Sequence, residues 1–128
     1  MTYLVDTDTV ADYLNGQLAA ITLLQSLRSH GLAISLITYG EIYDGIYDGR
    51  NPQAAQRAFR QFLRVVQVLP LNRSIMREFA RIRGPLRRQG QIIGDNDIMI
   101  AATAIYHHLE LVTRNLRHFG RIPNLRIH

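Results

Sequence analysis

The chain has no cysteine, which removes disulfides and thiolate metal sites together, so any metal it binds is held by oxygen or imidazole. It has no lysine either. All fifteen basic residues are arginine, and no mechanism that needs a lysine amine is open to it. No apolar run approaches the ~20 residues that span a bilayer. Asp6, Asp8 and Asp12 interrupt the stretch where a signal peptide needs its apolar core. A soluble, cytoplasmic protein without membrane contact is the expectation. Acidic residues are scarce, ten among 128, and their placement therefore carries weight.

Hydrophobic residues make up 47% of the chain and charged ones 20%, the balance of a globular protein with a real core. The length predicts one domain over residues 1–128. A formal net charge of +5 suits a polyanionic partner such as nucleic acid. The arginine bias has two readings: a GC-rich genome, or forks that grip phosphate bidentately.

Short apolar segments alternate with helical patterns. Tyr3-Leu4-Val5, Leu32 to Ser35, Val65 to Leu71 and Leu111-Val112-Thr113 read as strands, with Leu125-Arg126-Ile127 a last strand at the edge. Between them, a short helix capped by Asp8 or Thr9 runs through Leu14, and another spans Leu18 to Leu27. From Thr38, the residues Tyr39, Ile42, Tyr43, Ile46 and Tyr47 form an apolar stripe that predicts core or interface tyrosines. A turn at Gly49 to Pro52 makes a helical hairpin with Gln53 to Leu63. Ser74 to about Gln89 is amphipathic, with Gly84-Pro85 expected to kink or split it. This order predicts an α/β fold: three α/β/α layers around a mostly parallel sheet of about five strands, with ligands bound outside the strands' carboxyl ends.

The densest stretch is Gly94-Asp95-Asn96-Asp97 followed by Ile98 to Ala104, an acidic cap on a helix too apolar to be exposed. Each acid has a plain structural reading when taken alone: Asp6 a strand-end turn, Asp97 a helix cap, Glu41 an exposed helical carboxylate. Together they are harder to dismiss. Asp6, Asp8, Asp95 and Asp97 fall where a parallel fold converges, and Glu41 lies just past the second strand. Two carboxylates about 5 Å apart repel by roughly 3 kcal/mol at an effective dielectric near 20. Such a cluster persists by protonation or by binding a cation. Oxygen ligands suit Mg²⁺ or Mn²⁺, ions that serve phosphoryl and phosphodiester chemistry.

Asp6-Thr7 after a hydrophobic strand, Thr38-Tyr39-Gly40-Glu41-Ile42, Asp97-x-x-Ile100-Ala101-Ala102-Thr103-Ala104, and Val112-Thr113-Arg114-Asn115-x-x-His118-Phe119 resemble the four motifs of PIN domains, above all those of VapC-type toxins. The resemblance covers almost the whole chain in the right order. It implies a Mg²⁺- or Mn²⁺-dependent endoribonuclease acting on structured RNA such as tRNA or rRNA. It also implies silencing by a cognate antitoxin in a heteromeric complex, with the toxin itself a homodimer. By the same resemblance Asp6, Glu41 and Asp97 are the metal-binding carboxylates. Asn115 stands where many relatives carry a fourth aspartate, Asp95 is placed to compensate as a ligand, and Thr7 and Thr113 orient water or carboxylates. His118 reads as a structural loop residue, and His107 and His108 as complements to a helix dipole.

Two rivals remain. Leu4-Val5-Asp6-Thr7-Asp8-Thr9-Val10 resembles the first motif of aspartate-nucleophile phosphatases of the haloacid dehalogenase type, with Asp6 as nucleophile and Asp8 as proton donor. The missing lysine, the motif order and the short chain count against it, and the missing lysine also excludes a phospho-receiver domain. The other rival is a non-catalytic RNA-binding module with a vestigial acidic pocket.

Overall fold

A computed structural model describes residues 1–128. Its elements are β1 (Tyr3–Val5), α1 (Thr7–Leu14), α2 (Leu18–Leu27), a 3₁₀ turn (Arg28–His30), β2 (Leu32–Ser35), α3 (Leu36–Asp48), α4 (Pro52–Leu63), β3 (Val66–Leu69), α5 (Arg73–Arg88), α6 (Asp95–Tyr106), β4 (Glu110–Val112) and the single turn α7 (Leu116–Phe119). The sheet order is β3-β2-β1-β4, and every pairing is parallel. The chain moves outward from β1 to β2 to β3, then crosses back to lay β4 on the other side of β1. Strand order therefore reverses between β1 and β4, the place where open parallel sheets form a ligand crevice.

Right-handed crossovers put the helices of outward and returning connections on opposite faces. Side-chain alternation along each strand records this. Val5, Leu32, Ile34 and Val112 join a core with Val10, Leu24, Ile42, Ile46, Phe59 and Phe62, from α1 to α4. Leu4, Ala33 and Leu111 point to the other face and pack with Ile75, Ile82, Leu86, Ile98, Ile100 and Ala101, from α5 and α6. The three-layer expectation therefore holds, with four strands in place of about five.

Leu125 to Ile127 makes only one bridge, Leu111 to Ile127. Asn124 turns the chain inward with φ 68°, and the Arg126 guanidinium is drawn off to the carbonyl of His108 at 2.7 Å. β3 ends at Leu69, where Pro70 has no N–H to continue a ladder. The helix through Gly84-Pro85 does not split, and α5 runs on to Arg88. Pro85 falls in its last turn, where little of the helix remains to be broken.

Caps also differ from expectation. Asp6 itself, not Asp8 or Thr9, caps α1. Ser35 caps α3 through the N–H of Ile37, starting that helix two residues before Thr38. Gly94 begins α6 and has no side chain with which to cap it, while Asp95 and Asp97, inside the first turn, turn to Arg83 and His118. His107 does not complement the α6 dipole: burial, and then the charge of His108, lower its pKa and keep it neutral.

Candidate active site

Asp6 follows the last residue of β1, and Thr113 follows the last residue of the adjacent β4. Parallel pairing of Val5 with Val112 sets the two side by side at the switch point. The Thr113 hydroxyl donates to Asp6 Oδ2 at 2.5 Å, while Asp6 Oδ1 accepts the Thr9 N–H at 3.0 Å. Asp6 is 3% exposed. Burial raises its pKa, against the lowering effect of these hydrogen bonds. No arginine or histidine pairs with it; the ion pairs of the protein involve Glu78, Asp95, Asp12, Asp97 and Glu110.

Glu41 reaches the same edge from α3. Its Oε1 accepts the Thr7 hydroxyl at 2.6 Å, with the Thr38 hydroxyl 3.0 Å from Thr7 Oγ1. Its Oε2 accepts the Asn96 amide at 3.3 Å. Thr7 begins α1 on one face of the sheet and Asn96 lies in the first turn of α6 on the other. Glu41 therefore links the two helical layers across the end of the sheet.

Asp97 closes the site from the first turn of α6. Its Oδ2 lies 3.1 Å from His118 Nδ1, and that nitrogen lies 3.2 Å from the Asn115 amide nitrogen. Asn115 caps α7 by accepting the His118 N–H at 3.2 Å, and its own N–H donates to Thr113 Oγ1 at 3.0 Å. With the His118 Nδ1–H donating to Asp97 and its backbone N–H to Asn115, the residues Asp6, Thr113, Asn115, His118 and Asp97 form one continuous polar chain. Asp6, Glu41, Asp97, Thr113 and Asn115 are all part of the assembly, and so is Thr7.

Asp95 is not part of it. Its Oδ1 accepts from Arg83 Nε at 2.8 Å on the flank of α6, half exposed. Position one of a helix points its side chain away from position three, so two acids one residue apart diverge. Asp8 is exposed on α1, beside a polar groove of about 380 Å³ that also involves Asp12, Arg114 and Asn115. Two residues do more than the sequence leads one to expect: His118, expected as a structural loop residue, touches both Asp97 and Asn115, and Asn96, with no expected role, holds Glu41. The three-residue spacing from Asn115 to His118 within one helical turn was the available signal. Among the tyrosines, Tyr39 and Tyr43 pack on Phe59 with ring centroids 5.7 and 5.5 Å away, as core residues do, and Tyr47 is exposed.

The donor set fits a hard divalent cation. A buried carboxylate without a cationic partner is unfavourable unless it protonates or meets a metal, and Asp6 is such a carboxylate; Glu41 is tied to Thr7, the residue after Asp6, and Asp97 to His118 beside Asn115. No three Asp, Glu or His side chains form a preformed cage. Mg²⁺ does not need one, because it binds through one or two carboxylates and keeps several waters. No helix is long and apolar enough to cross a membrane.

The PIN-domain family model matches residues 3–125. Ribonuclease VapC19 of Mycobacterium tuberculosis is 37% identical over 128 residues, covering 95% of each chain. Ribonuclease VapC1 of Haemophilus influenzae is 31% identical over 127 residues, covering 98% of this chain and 95% of its own. In the crystal structure of VapBC2 from Rickettsia felis bound to a DNA fragment from its promoter, a chain superposes with a TM-score of 0.93. It is 28% identical, with 100% of this chain and 98% of that one covered.

Proposed function

The chain belongs to the PIN-domain family, among the VapC ribonucleases, and from that premise we propose that it is the toxin of a toxin–antitoxin pair, cutting phosphodiester bonds in structured RNA, of the tRNA or rRNA class, with Mg²⁺ or Mn²⁺. The observation that carries this reading is the continuous polar chain from Asp6 through Thr113, Asn115 and His118 to Asp97, with Glu41 closing it from the opposite layer. Family membership displaces the phosphatase alternative.

Asp6, Glu41 and Asp97 would hold the ion, with the Asn115 amide a weaker, uncharged fourth group. Such an ion supplies positive charge against the scissile phosphate and makes a water more acidic. The protein's own part is positioning. Thr113 fixes one oxygen of Asp6 and the α1 backbone fixes the other, so the buried carboxylate has a single orientation. Thr7 and Asn96 do the same for Glu41, and His118 for Asp97. With Asn115 in place of an acid, the site carries one negative charge fewer, which favours approach of the phosphate and loosens any second ion.

A heteromeric complex with an antitoxin is part of the proposal, supported by the VapBC assembly of the Rickettsia felis relative. The test is incubation of antitoxin-free protein with total cellular RNA and Mn²⁺ or Mg²⁺, beside an EDTA control and Asp6→Asn, with fragment ends mapped. Discrete cuts that need metal and vanish in the variant are expected. Intact RNA with folded, metal-loaded protein would overturn the reading and favour a binding module.

A further inference from the structure

Between the last turns of α5 and the start of α6, on the flank of α6 that carries Asp95, lies a depression of about 520 Å³. Arg83, Arg87 and Gln91 supply its polar wall, and Leu86, Ile93 and Ile98 its apolar side. Ile98 directly follows Asp97, so the depression opens within one helical turn of a site carboxylate. Arg83 spends only Nε on Asp95, and its two Nη groups have no partner in the protein. Arg87, one turn further along α5, has no side-chain partner at all and is exposed. Two guanidinium groups against one carboxylate leave the depression net positive. Gly94, also at its edge, gives α6 no side-chain cap, so first-turn N–H groups remain for an anion. On the rim Ile92 is 88% exposed, an apolar platform next to cationic groups.

We propose that this depression binds a phosphate of the RNA strand flanking the scissile bond, through the free Nη groups of Arg83 and Arg87, and that Asp95 is the positioning residue for Arg83 and not a metal ligand. The inference rests on the nuclease reading for its substrate class. An arginine side chain free at the surface loses rotamer entropy when it grips a ligand, and a carboxylate bonded to Nε fixes the fork before the ligand arrives. The exposed pair is worth little to stability in itself, which suits a role in orientation. Asp95 also has no view of the crevice while it holds Arg83. This explains why two acids one residue apart are present where one suffices at the metal.

The test separates binding from cleavage. Binding of labelled bulk tRNA is measured in EDTA, where no cutting occurs, for the unaltered protein, Arg83→Ala, Arg83→Lys, Asp95→Asn, the double variant, and Arg57→Ala as a surface-charge control. Arg83→Ala is expected to weaken binding about tenfold, and Arg83→Lys by less. The slope of log affinity against log salt should fall by about 1 for Arg83→Ala. Asp95→Asn should weaken binding while leaving the metal concentration for half-maximal cleavage unchanged, and adding it to Arg83→Ala should cost nothing more. Thermal melts of each variant confirm folding. Binding by Arg83→Ala within twofold of the unaltered protein overturns the proposal. So does no binding by the unaltered protein, or a raised metal requirement in Asp95→Asn with binding intact. If the protein fails to cut RNA yet binding depends on Arg83, the surface stands and the nuclease reading alone falls.

Discussion

Replacing Asp6 by asparagine should remove activity and, in the same protein, raise stability. Asn keeps the size of Asp and is as good an N-cap, so its Oδ1 still accepts the Thr9 N–H and the cap costs about nothing. Its amide can donate to Thr113 Oγ1, reversing the present hydrogen bond without opening a void. What changes is the charge. Asp6 is 3% exposed and burial raises its pKa above the ordinary 3.8, so the ionised form is the strained one in the folded protein. A carboxyl with a raised folded pKa binds its proton more tightly when folded. Its favourable contribution is therefore complete below the unfolded pKa and is lost as pH climbs through the folded value. At neutral pH in EDTA, Asp6→Asn should be more stable by on the order of 1 kcal/mol, the size typical of relieving a strained functional group. For a chain of this length that is about 3 °C in Tm. The advantage should shrink as pH falls toward 4, because protonated Asp6 costs as little as Asn. Thermal melts between pH 4 and 8 give the result directly. A variant less stable than the parent at pH 7, or a gap that does not vary with pH, would refute the reasoning and make Asp6 an ordinary cap.

Three further outcomes follow from the site. Millimolar Mg²⁺ or Mn²⁺ should stabilise the parent by about 1.4 kcal/mol when the ion is at ten times its Kd, read as a raised Tm; a melt unmoved by either ion counts against metal binding, and Asp6→Asn should show little response. Thr113→Val leaves Asp6 Oδ2 and the Asn115 N–H without their partner, and should cost roughly 2 kcal/mol in urea unfolding, with Thr113→Ser largely restoring it. His118→Ala should lower kcat by about tenfold with KM little altered, since it frees Asp97, while Asn115 keeps its bonds to the residue-118 N–H and to Thr113 and the arginines are untouched; an unchanged kcat would return His118 to a loop role.

The site was legible in the sequence where local pattern and topology coincide. Tyr3-Leu4-Val5 and Leu111-Val112 are too short and apolar for anything but buried strands. Parallel strands deliver their next residues, Asp6 and Thr113, to one edge whatever the details of packing. Glu41 was legible because a helix leaving β2 must begin at that same edge. What was not legible depends on contacts distant in sequence. Whether Asp95 faces the crevice or Arg83 is decided by how α5 lies against α6, twelve residues back along the chain. His118 gains its importance from Asp97, twenty-one residues away in sequence. The shortfall at Leu125 to Ile127 has the same origin: an edge strand exists only if its neighbour pairs with it along its length. Pro85 misled for a different reason: it forfeits one N–H bond, but only three helical residues follow it, so no second segment is left to kink away.

The hydrogen bond between Thr113 and Asp6 joins residues 107 apart in the chain. During synthesis, Asp6 leaves the ribosome on the order of ten seconds before Thr113 is made. In that interval β1 lacks one of its two neighbouring strands, and Asp6 has neither its hydroxyl partner nor the crevice in which a phosphate could lie. A chain that ends before β4 therefore lacks Thr113, Asn115 and His118 together, and with them the hydrogen bonds that orient Asp6 and Asp97. Assembly of the site is thereby timed within synthesis, since its two edges meet only when almost the last strand is in place.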